Sequence, residues 1–108
     1  MTEPNQAPNL IVIDPKDNVA TALKNLPAGS IARITGPSGR LDDLMLNDEI
    51  KLGHKAALCP IAAGALVVKH GVPFGRATAA INPGEHVHVH NVLSLSRGTD
   101  LAPAGGKP

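Results

Sequence analysis

Short apolar runs of about the length of a β-strand alternate with polar, glycine-containing segments along most of this chain. Residues 9–13 predict a first strand, which ends before Pro15 because proline cannot donate a hydrogen bond to a sheet. Residues 19–25, which follow the capping candidates Asp17 and Asn18, predict a short helix. Further strand-length runs occupy residues 30–34, 41–46, 54–58, 65–69, 76–81 and 85–90. The pattern is typical of a mainly β, mostly antiparallel fold with one short helix near the N-terminus.

A weak internal repeat supports this interpretation. An apolar residue, two variable positions and a glycine recur at residues 26–29, 50–53, 61–64 and 81–84. In the last copy, Pro83 supplies the fixed φ of the second position of a type II turn and Gly84 the positive φ of the third. We expect the other three copies to form the same turn, and residues 36–39 to form an exposed loop.

The composition indicates one small domain between two tails. Residues 1–8 and 96–108 are rich in proline, glycine, alanine and polar residues and lack periodicity, so we expect loose tails around a domain at residues 9–95. The polar start is unlike a secretory signal, and no apolar stretch is long enough to span a bilayer. These features favour a cytoplasmic protein.

The side chains available narrow the classes of function. The chain is 43% hydrophobic but has no Trp or Tyr and a single Phe74, so its core must consist of small aliphatic residues. A formal charge of +1, without basic runs or aromatic side chains for base stacking, disfavours nucleic-acid binding. The lone Cys59, between Leu58 and Pro60, is expected to be a buried, unreactive thiol.

The sharpest local feature is a run of alternating histidines and valines. On a strand, His86, His88 and His90 would share one face, while Val87 and Val89 would face the core. The histidine face would then be free for solvent, a metal or a partner. An exposed polar face without a site is the alternative interpretation.

Strand geometry limits the metal interpretation. Residues two apart on a strand are separated by roughly 6.6 Å and residues four apart by roughly 13 Å, so the three histidines of one regular strand cannot share an ion. A zinc-type site needs three or four ligands. An adjacent pair would therefore need help from His54, His70, Glu85 or another chain.

Two further clusters combine a glycine with a cation, namely Gly53-His54-Lys55 and residues 70–76, which end at Arg76. A flexible glycine beside a cation allows close approach of a carboxylate, although a surface turn with a basic residue has the same pattern. No nucleophile elbow, phosphate loop or paired acidic motif is present. The chain therefore lacks a self-sufficient active site.

Six segments of the sequence resemble the N-terminal SAF domain of the altronate and galactarate dehydratases in order and spacing. They are residues 17–20, 26–29, 53–55, 61–64, 75–78 and 84–91. The histidine run that ends at Asn91 is the most specific of them. The sequence departs from the family at His70, where tyrosine is more frequent, and at Phe74, where isoleucine is usual.

The resemblance implies a β-clip fold and a part in the elimination reaction of a hydroxycarboxylate such as a sugar acid or sulfolactate. The dehydratases continue past the counterpart of Asn91 into a long catalytic domain, whereas this chain continues into a glycine- and proline-rich segment. The arrangement is similar to the small subunit of sulfolactate sulfo-lyase or of two-subunit altronate dehydratases. The implied partner is a large, dehydratase-like catalytic subunit.

The resemblance also implies roles for individual residues. These are catalytic for His54 and Lys55, substrate-binding for Arg76, His90 and Asn91, and metal-binding for His86 and His88. The implied cofactor is a divalent metal of the Fe, Mg or Zn type, held mainly by the partner subunit. A non-catalytic ligand-binding, metal-binding or scaffolding module is the alternative function, and exposed strand edges also allow homo-oligomers.

Overall fold

The computed structural model describes residues 8–37, 39–40 and 43–95, which contain eleven short β-strands. These are β1 (Leu10–Ile11), β2 (Val19–Ala22), β3 (Ile31–Ala32), β4 (Ile34–Gly36), β5 (Gly39–Arg40), β6 (Leu44–Met45), β7 (Lys55–Ala57), β8 (Leu66–Lys69), β9 (Val72–Ala77), β10 (His86–Val87) and β11 (Val92–Ser94). The prediction of a mainly β fold is confirmed. Within the described residues no helix is long and apolar enough to cross a membrane.

The helix predicted for residues 19–25 is wrong, because Val19–Ala22 forms β2, which pairs antiparallel with β1 and β7. Asn18 does not cap a helix. Its side-chain amide donates to the carbonyl of Leu66 at 3.0 Å and accepts from the backbone N–H of Val68 at 2.8 Å. These partners lie 48 and 50 residues along the chain, so tertiary pairing overrides the local helix preference.

The strands form three sheets. The largest has six strands in the order β10-β7-β2-β1-β4-β5, and its pairs are antiparallel except for β1 with β4. A three-stranded antiparallel sheet has the order β11-β9-β8, and β3 pairs with β6. The predicted mostly antiparallel arrangement is therefore confirmed.

The pair β2 and β7 separates two small hydrophobic cores, because successive side chains of a strand point to opposite faces. The first core contains Leu10, Val12, Ala20, Ala22, Leu26, Ala32, Ile34, Leu46, Ile50 and Ala56. The second contains Val19, Ala57, Ile61, Val67, Ala77, Ile81 and Val87. The two cores fix β7 from both sides, and β7 in turn positions β10 at the edge of the sheet.

The four glycine turns are formed as predicted. Gly29, Gly53, Gly64 and Gly84 have φ between 83° and 86°, and the N–H after each glycine donates to the carbonyl three residues earlier. The apolar residues that begin the four copies pair as antiparallel bridges, Leu26 with Ile50 and Ile61 with Ile81, and all four are buried. The repeat therefore contributes both the turns and their anchors in the cores.

Gly84 has a second constraint besides its positive φ. A Cβ atom at this position would collide with the carbonyl oxygen of Met45, so only glycine fits between this turn and the neighbouring chain. The backbone N–H of Asn47 donates to the Gly84 carbonyl at 2.9 Å. This close approach fixes the chain immediately before β10.

Cys59 is exposed, so the prediction of a buried thiol is wrong. β7 ends at Ala57 and the chain bends at the next two residues, so strand alternation no longer turns this side chain inward. Gly36 and Gly39, the ends of the predicted exposed loop, belong to β4 and β5 and pair with each other. Pro37 is exposed, and Ser38 lies outside the described residues. The predicted tails lie outside the described residues, apart from Pro8, and stay predictions.

Candidate histidine site

The histidine run is divided between a strand and a turn. β10 ends at the buried Val87, and the N–H of Asn91 donates to the carbonyl of His88 at 3.1 Å to close the turn. Strand alternation therefore ends before Val89, which is 82% exposed. The prediction that both valines face the core is confirmed for Val87 and wrong for Val89.

Three imidazole rings converge at the edge of the large sheet. His54 ends one of the glycine turns directly before β7, and β7 pairs with β10, which begins at His86. The His54 ring centroid lies 4.3 Å from that of His88 and 5.1 Å from that of His86, with the rings stacked. His54 Nδ1 and His86 Nε2 are 2.9 Å apart, and one ring nitrogen from each histidine lies within 4.8 Å of the others.

The other candidates for this group are placed differently. The His90 ring lies 5.1 Å from the His86 ring and is tilted by 30°, outside the set of three. His70 lies in the hairpin between β8 and β9 with a φ of 55°, and the Glu85 carboxylate accepts from the N–H of Asn82 at 2.8 Å. Of the additional ligands considered from the sequence, the structure brings His54 to the pair.

A cleft opens beside the rings. It has a volume of about 150 Å³ and is lined by Lys55, Phe74, Val87, His88, Val89, Val92 and Ser94. A cavity of about this size holds a benzene-sized group. Lys55 Nζ lies 5.7 Å from the centroid of the Phe74 ring, and desolvation, followed by the charge of Lys69, lowers the pKa of Lys55. Since His88 belongs to both the ring group and the cleft wall, the two features are adjacent.

The surroundings of His86 and His88 lower the pKa of both rings and so favour neutral imidazole. Desolvation lowers the pKa of His86, and nearby His54, His90 and His88 lower it further, while Asp48 opposes the shift. The pKa of His88 is lowered by desolvation and then by His54 and other nearby cations. Neutral imidazole is the form that binds metals.

Two predicted substrate-binding residues already have contacts within the protein. Arg76 Nη1 donates to the carbonyl of Gly64 at 3.0 Å, on the opposite side of β9 from the buried residues. The Asn91 side chain accepts from the N–H of His88 at 2.9 Å and donates to the carbonyl of His86 at 2.8 Å. These contacts give Asn91 a role in holding the turn, and both substrate-binding roles stay predictions.

The donor atoms of this group fit a divalent transition metal. Imidazole nitrogens suit Zn²⁺, Fe²⁺ and similar ions, whereas Mg²⁺ prefers oxygen ligands. Three histidines with an open fourth position are a known arrangement of catalytic zinc. Of the three predicted metals, Fe and Zn therefore fit the three rings, and Mg does not.

Sequence reasoning missed Asp48 and gave Phe74 no part in a site. Asp48 Oδ2 accepts from the backbone N–H of His86 at 2.9 Å, across 38 residues of sequence. Asp48 belongs to no motif and reaches His86 from a bend after β6. Phe74 belongs to the cluster at residues 70–76, which was considered only for its glycine and its cation, and it reaches the cleft from β9. A conspicuous signal was available only for Phe74, the single aromatic side chain of the cleft apart from His88.

The fold and the site together define a small all-β module that carries an exposed cluster of histidines. The chain belongs to the family of altronate/galactarate dehydratase SAF domains, whose model matches residues 8–95. It is 40% identical over 83 residues to altronate dehydratase of Bacillus subtilis and 42% identical over 81 residues to altronate dehydratase of Escherichia coli. These alignments cover 77% and 75% of this chain.

The chain spans a small part of these dehydratases, 16% and 15% of their respective lengths. It is also 47% identical over 47 residues to the alpha subunit of (2R)-sulfolactate sulfo-lyase from Chromohalobacter salexigens. That alignment covers 44% of this chain and 50% of the relative. The chain is thus similar to proteins named as altronate dehydratases and to a protein named as one subunit of a lyase.

Proposed function

We propose that this chain is the small SAF-domain subunit of a lyase and caps the active site of a separate, large catalytic subunit. The substrate would be a hydroxycarboxylate, such as a sugar acid or sulfolactate, that loses water or sulfite. The observation that carries this proposal is the convergence of three imidazole rings beside the Lys55 cleft on one exposed edge. These groups can bind an anion or a metal, and we infer that the remaining catalytic groups come from the partner.

The relatives support a divided enzyme. Most of the length of the two altronate dehydratases lies outside the segment that this chain matches. The sulfo-lyase relative is named as an alpha subunit, and the matched segment makes up half of it. A SAF domain that works as a separate subunit needs the catalytic part to be supplied by another chain.

The chemistry of elimination gives the exposed groups a purpose. A base of the complex takes the proton from the carbon next to the carboxylate, and the C–H electron pair forms the new C=C bond. The neighbouring carbon loses either its hydroxyl group, which leaves with the C–O pair and is protonated to water, or sulfite, which leaves with the C–S pair. Negative charge builds up beside an existing carboxylate, so preorganised cations around the substrate lower the barrier. A divalent metal bound at the rings would supply Lewis-acid stabilisation of that charge.

Within this scheme Lys55 has the best support as a partner of the substrate carboxylate. Its ammonium group lies at the wall of a cleft whose other lining is mainly apolar, and a second protein surface placed over it would exclude water. His54 would act with Lys55 on the substrate, and His90 and Arg76 would contact its polar groups. His86 and His88 would face the metal.

The β-clip architecture, a cytoplasmic location and homo-oligomerisation belong to the same proposal. The turn-linked short strands agree with the first, and the polar, nearly neutral composition agrees with the second. Among the described residues β5 and β10 form the two ends of the six-stranded sheet, which agrees with the third.

Co-purification followed by reconstitution tests this function. A tagged copy of the chain, expressed in its native host, should retain a large dehydratase-like chain that mass spectrometry identifies. The two purified chains together should convert altronate, galactarate or sulfolactate, and neither should do so alone. Turnover of a hydroxycarboxylate by this chain alone at ordinary enzymatic rates would refute the partner role.

His88→Ala tests the site itself. Because His88 lies in both the ring cluster and the cleft, its removal should lower kcat of the reconstituted complex by at least about tenfold. His70→Asn is the matched control, since it removes a histidine outside the cluster and asparagine tolerates its positive φ. An unchanged kcat for His88→Ala would reject a catalytic role for the cluster.

A metal-binding module without catalysis is the second candidate, because the three converging rings come from this one chain. It predicts tight metal binding together with failure to retain any dehydratase-like chain. The co-purification experiment therefore separates the two candidates.

A further inference from the structure

We infer that His54, His86 and His88 form a three-histidine site for a divalent transition metal that is complete within this chain. The inference deepens the proposed function, on which its catalytic meaning rests. It gives His54 the part of third ligand and moves the metal from the partner subunit to the SAF domain. Binding itself requires no partner and can be measured on the chain alone.

The distances require little movement for metal binding. Nitrogens that ligate one tetrahedral zinc at its usual bond length are roughly 3.3 Å apart. His54 Nδ1 and His86 Nε2 are 2.9 Å apart, and all three ligand atoms lie within 4.8 Å of one another. Small rotations of the rings would bring the nitrogens to the required spacing. None of these side chains is packed in a core, since His54 and His86 are half-buried and His88 is exposed.

The backbone of each histidine is fixed independently of its ring. The N–H of His54 donates to the Lys51 carbonyl at 2.8 Å within its glycine turn. The N–H of His86 donates to Asp48, and that of His88 donates to Asn91, both at 2.9 Å. The fold thus presents the three rings on a preorganised frame, which limits the entropy lost when a metal binds.

The ligand atoms and one nearby carboxylate favour a cation, whereas the Lys55 ammonium group near His88 opposes it. Among residues 8–37, 39–40 and 43–95, the polar contact of the three rings is between His54 and His86, and no carboxylate forms an ion pair with a ring. The Asp48 carboxylate lies beside the His86 backbone and supplies nearby negative charge. An all-imidazole set selects Zn²⁺, Fe²⁺ or Co²⁺ over Mg²⁺ and Ca²⁺.

Calorimetry on the full, tag-free and metal-depleted chain tests the site. Titration with Zn²⁺ near neutral pH should give one ion per chain with a Kd below about 1 µM, while Mg²⁺ should give no heat of binding. Removing a group that merely orients a ligand weakens metal binding by about 10–100-fold, so His54→Ala, His86→Ala and His88→Ala should each weaken it by more. Asn91→Ala, which removes an orienting group, should weaken zinc binding by about 10–100-fold, and His70→Asn should bind zinc as tightly as the unmodified chain.

A second measurement does not depend on the variants being folded. X-ray absorption at the zinc edge of the unmodified complex should show three imidazole nitrogens, and Co²⁺ should give the intense visible bands of a four-coordinate site. One or two imidazoles, or full affinity in His54→Ala, would overturn the inference. Tight binding by a chain that retains no dehydratase-like partner would refute the proposed function and leave the metal site standing. Retention of the partner without metal binding would refute the metal site and leave the proposed function standing.

Discussion

Two polar clusters on this small domain use their side chains in opposite ways. At the corner between β1 and β2, Asp17 Oδ1 accepts from the N–H of Gly71 at 2.8 Å, and Oδ2 accepts from the N–H groups of Asp14 and Ile13 at 3.1 and 3.3 Å. Asn18 next to it joins the backbone of β8. In the histidine cluster, the side chains contact one another instead.

The Asp17 and Asn18 side chains are occupied by hydrogen bonds to the backbone, whereas the rings of the histidine cluster are not. Backbone N–H groups at the Asp17 corner would lack partners without the carboxylate, because the chain turns there and no strand supplies acceptors. The backbone groups around the histidines are already paired by Asp48 and Asn91. The contrast supports a stabilising role for the Asp17 corner and agrees with the ligand-binding role that we propose for the histidine cluster.

The largest expected effect is on the histidine side of this comparison. Zinc at 100 times its Kd should stabilise the folded chain by about 2.7 kcal/mol, because the ion binds only where the three rings are held together. For a domain of this size each kcal/mol raises Tm by about 4–8 °C. Differential scanning calorimetry should show this shift for the unmodified chain and for Asp17→Ala, and lose it for His86→Ala. A shift retained by His86→Ala would contradict the division between the clusters.

The residue types within each turn were sufficient to predict the turns. The residue types at 19–22 were not sufficient to distinguish a helix from a strand. In residues 81–84, proline and glycine by themselves specify a type II turn, and the structure has the positive φ at Gly84. Residues 19–22 have no such signal, since a four-residue run of valine, alanine and threonine is compatible with helix or strand. Their state depends on pairing with β1 and β7, which are separated from them in the sequence.

The difference between local signals and distant pairing also explains which parts of the site could be predicted from the sequence. The alternation that singles out His86 and His88 is local. The regular-strand spacing that set His90 apart from His86 does not hold, because the strand ends at Val87 and the turn after it brings the His90 ring to 5.1 Å from the His86 ring. The proximity of His54 comes from the pairing of β7 with β10, across 32 residues. His54 was one of several candidates for a third ligand, and a single sequence cannot rank such candidates by distance.

Asp17→Ala gives the next largest effect, on the other side of the comparison. The substitution leaves the N–H groups of Ile13, Asp14 and Gly71 without the carboxylate, so the free energy of unfolding should fall by about 1–2 kcal/mol. Urea unfolding measures this loss. Lys16→Ala is the control, because its exposed side chain makes no contact in the described structure and the change should be near neutral. An equal loss in the control would show that the corner, rather than the carboxylate, is sensitive.

The pH dependence of the Asp17 contribution is the smallest effect, since solvent screens a partly exposed charge. Desolvation raises the pKa of Asp17, but hydrogen bonds from Gly71, Asp14, His70 and Ile13 together outweigh it and lower the pKa below the ordinary value of 3.8. The folded state then favours the ionised form. Its stabilisation is fully present above pH 3.8 and is lost as the pH falls through the lower, folded value.

Asp17→Asn is the appropriate comparison, because asparagine keeps one acceptor oxygen and cannot ionise. The difference in unfolding free energy between the unmodified chain and Asp17→Asn should be constant near neutral pH and shrink only in strong acid. Urea unfolding at a series of acidic pH values, with metal removed, measures it. Both proteins carry the same five histidines, so the contribution of those side chains cancels in the difference. If this difference in unfolding free energy instead changed between pH 5 and 7, the stabilisation by Asp17 would depend on the charge of the histidine cluster. The two regions would then not be independent.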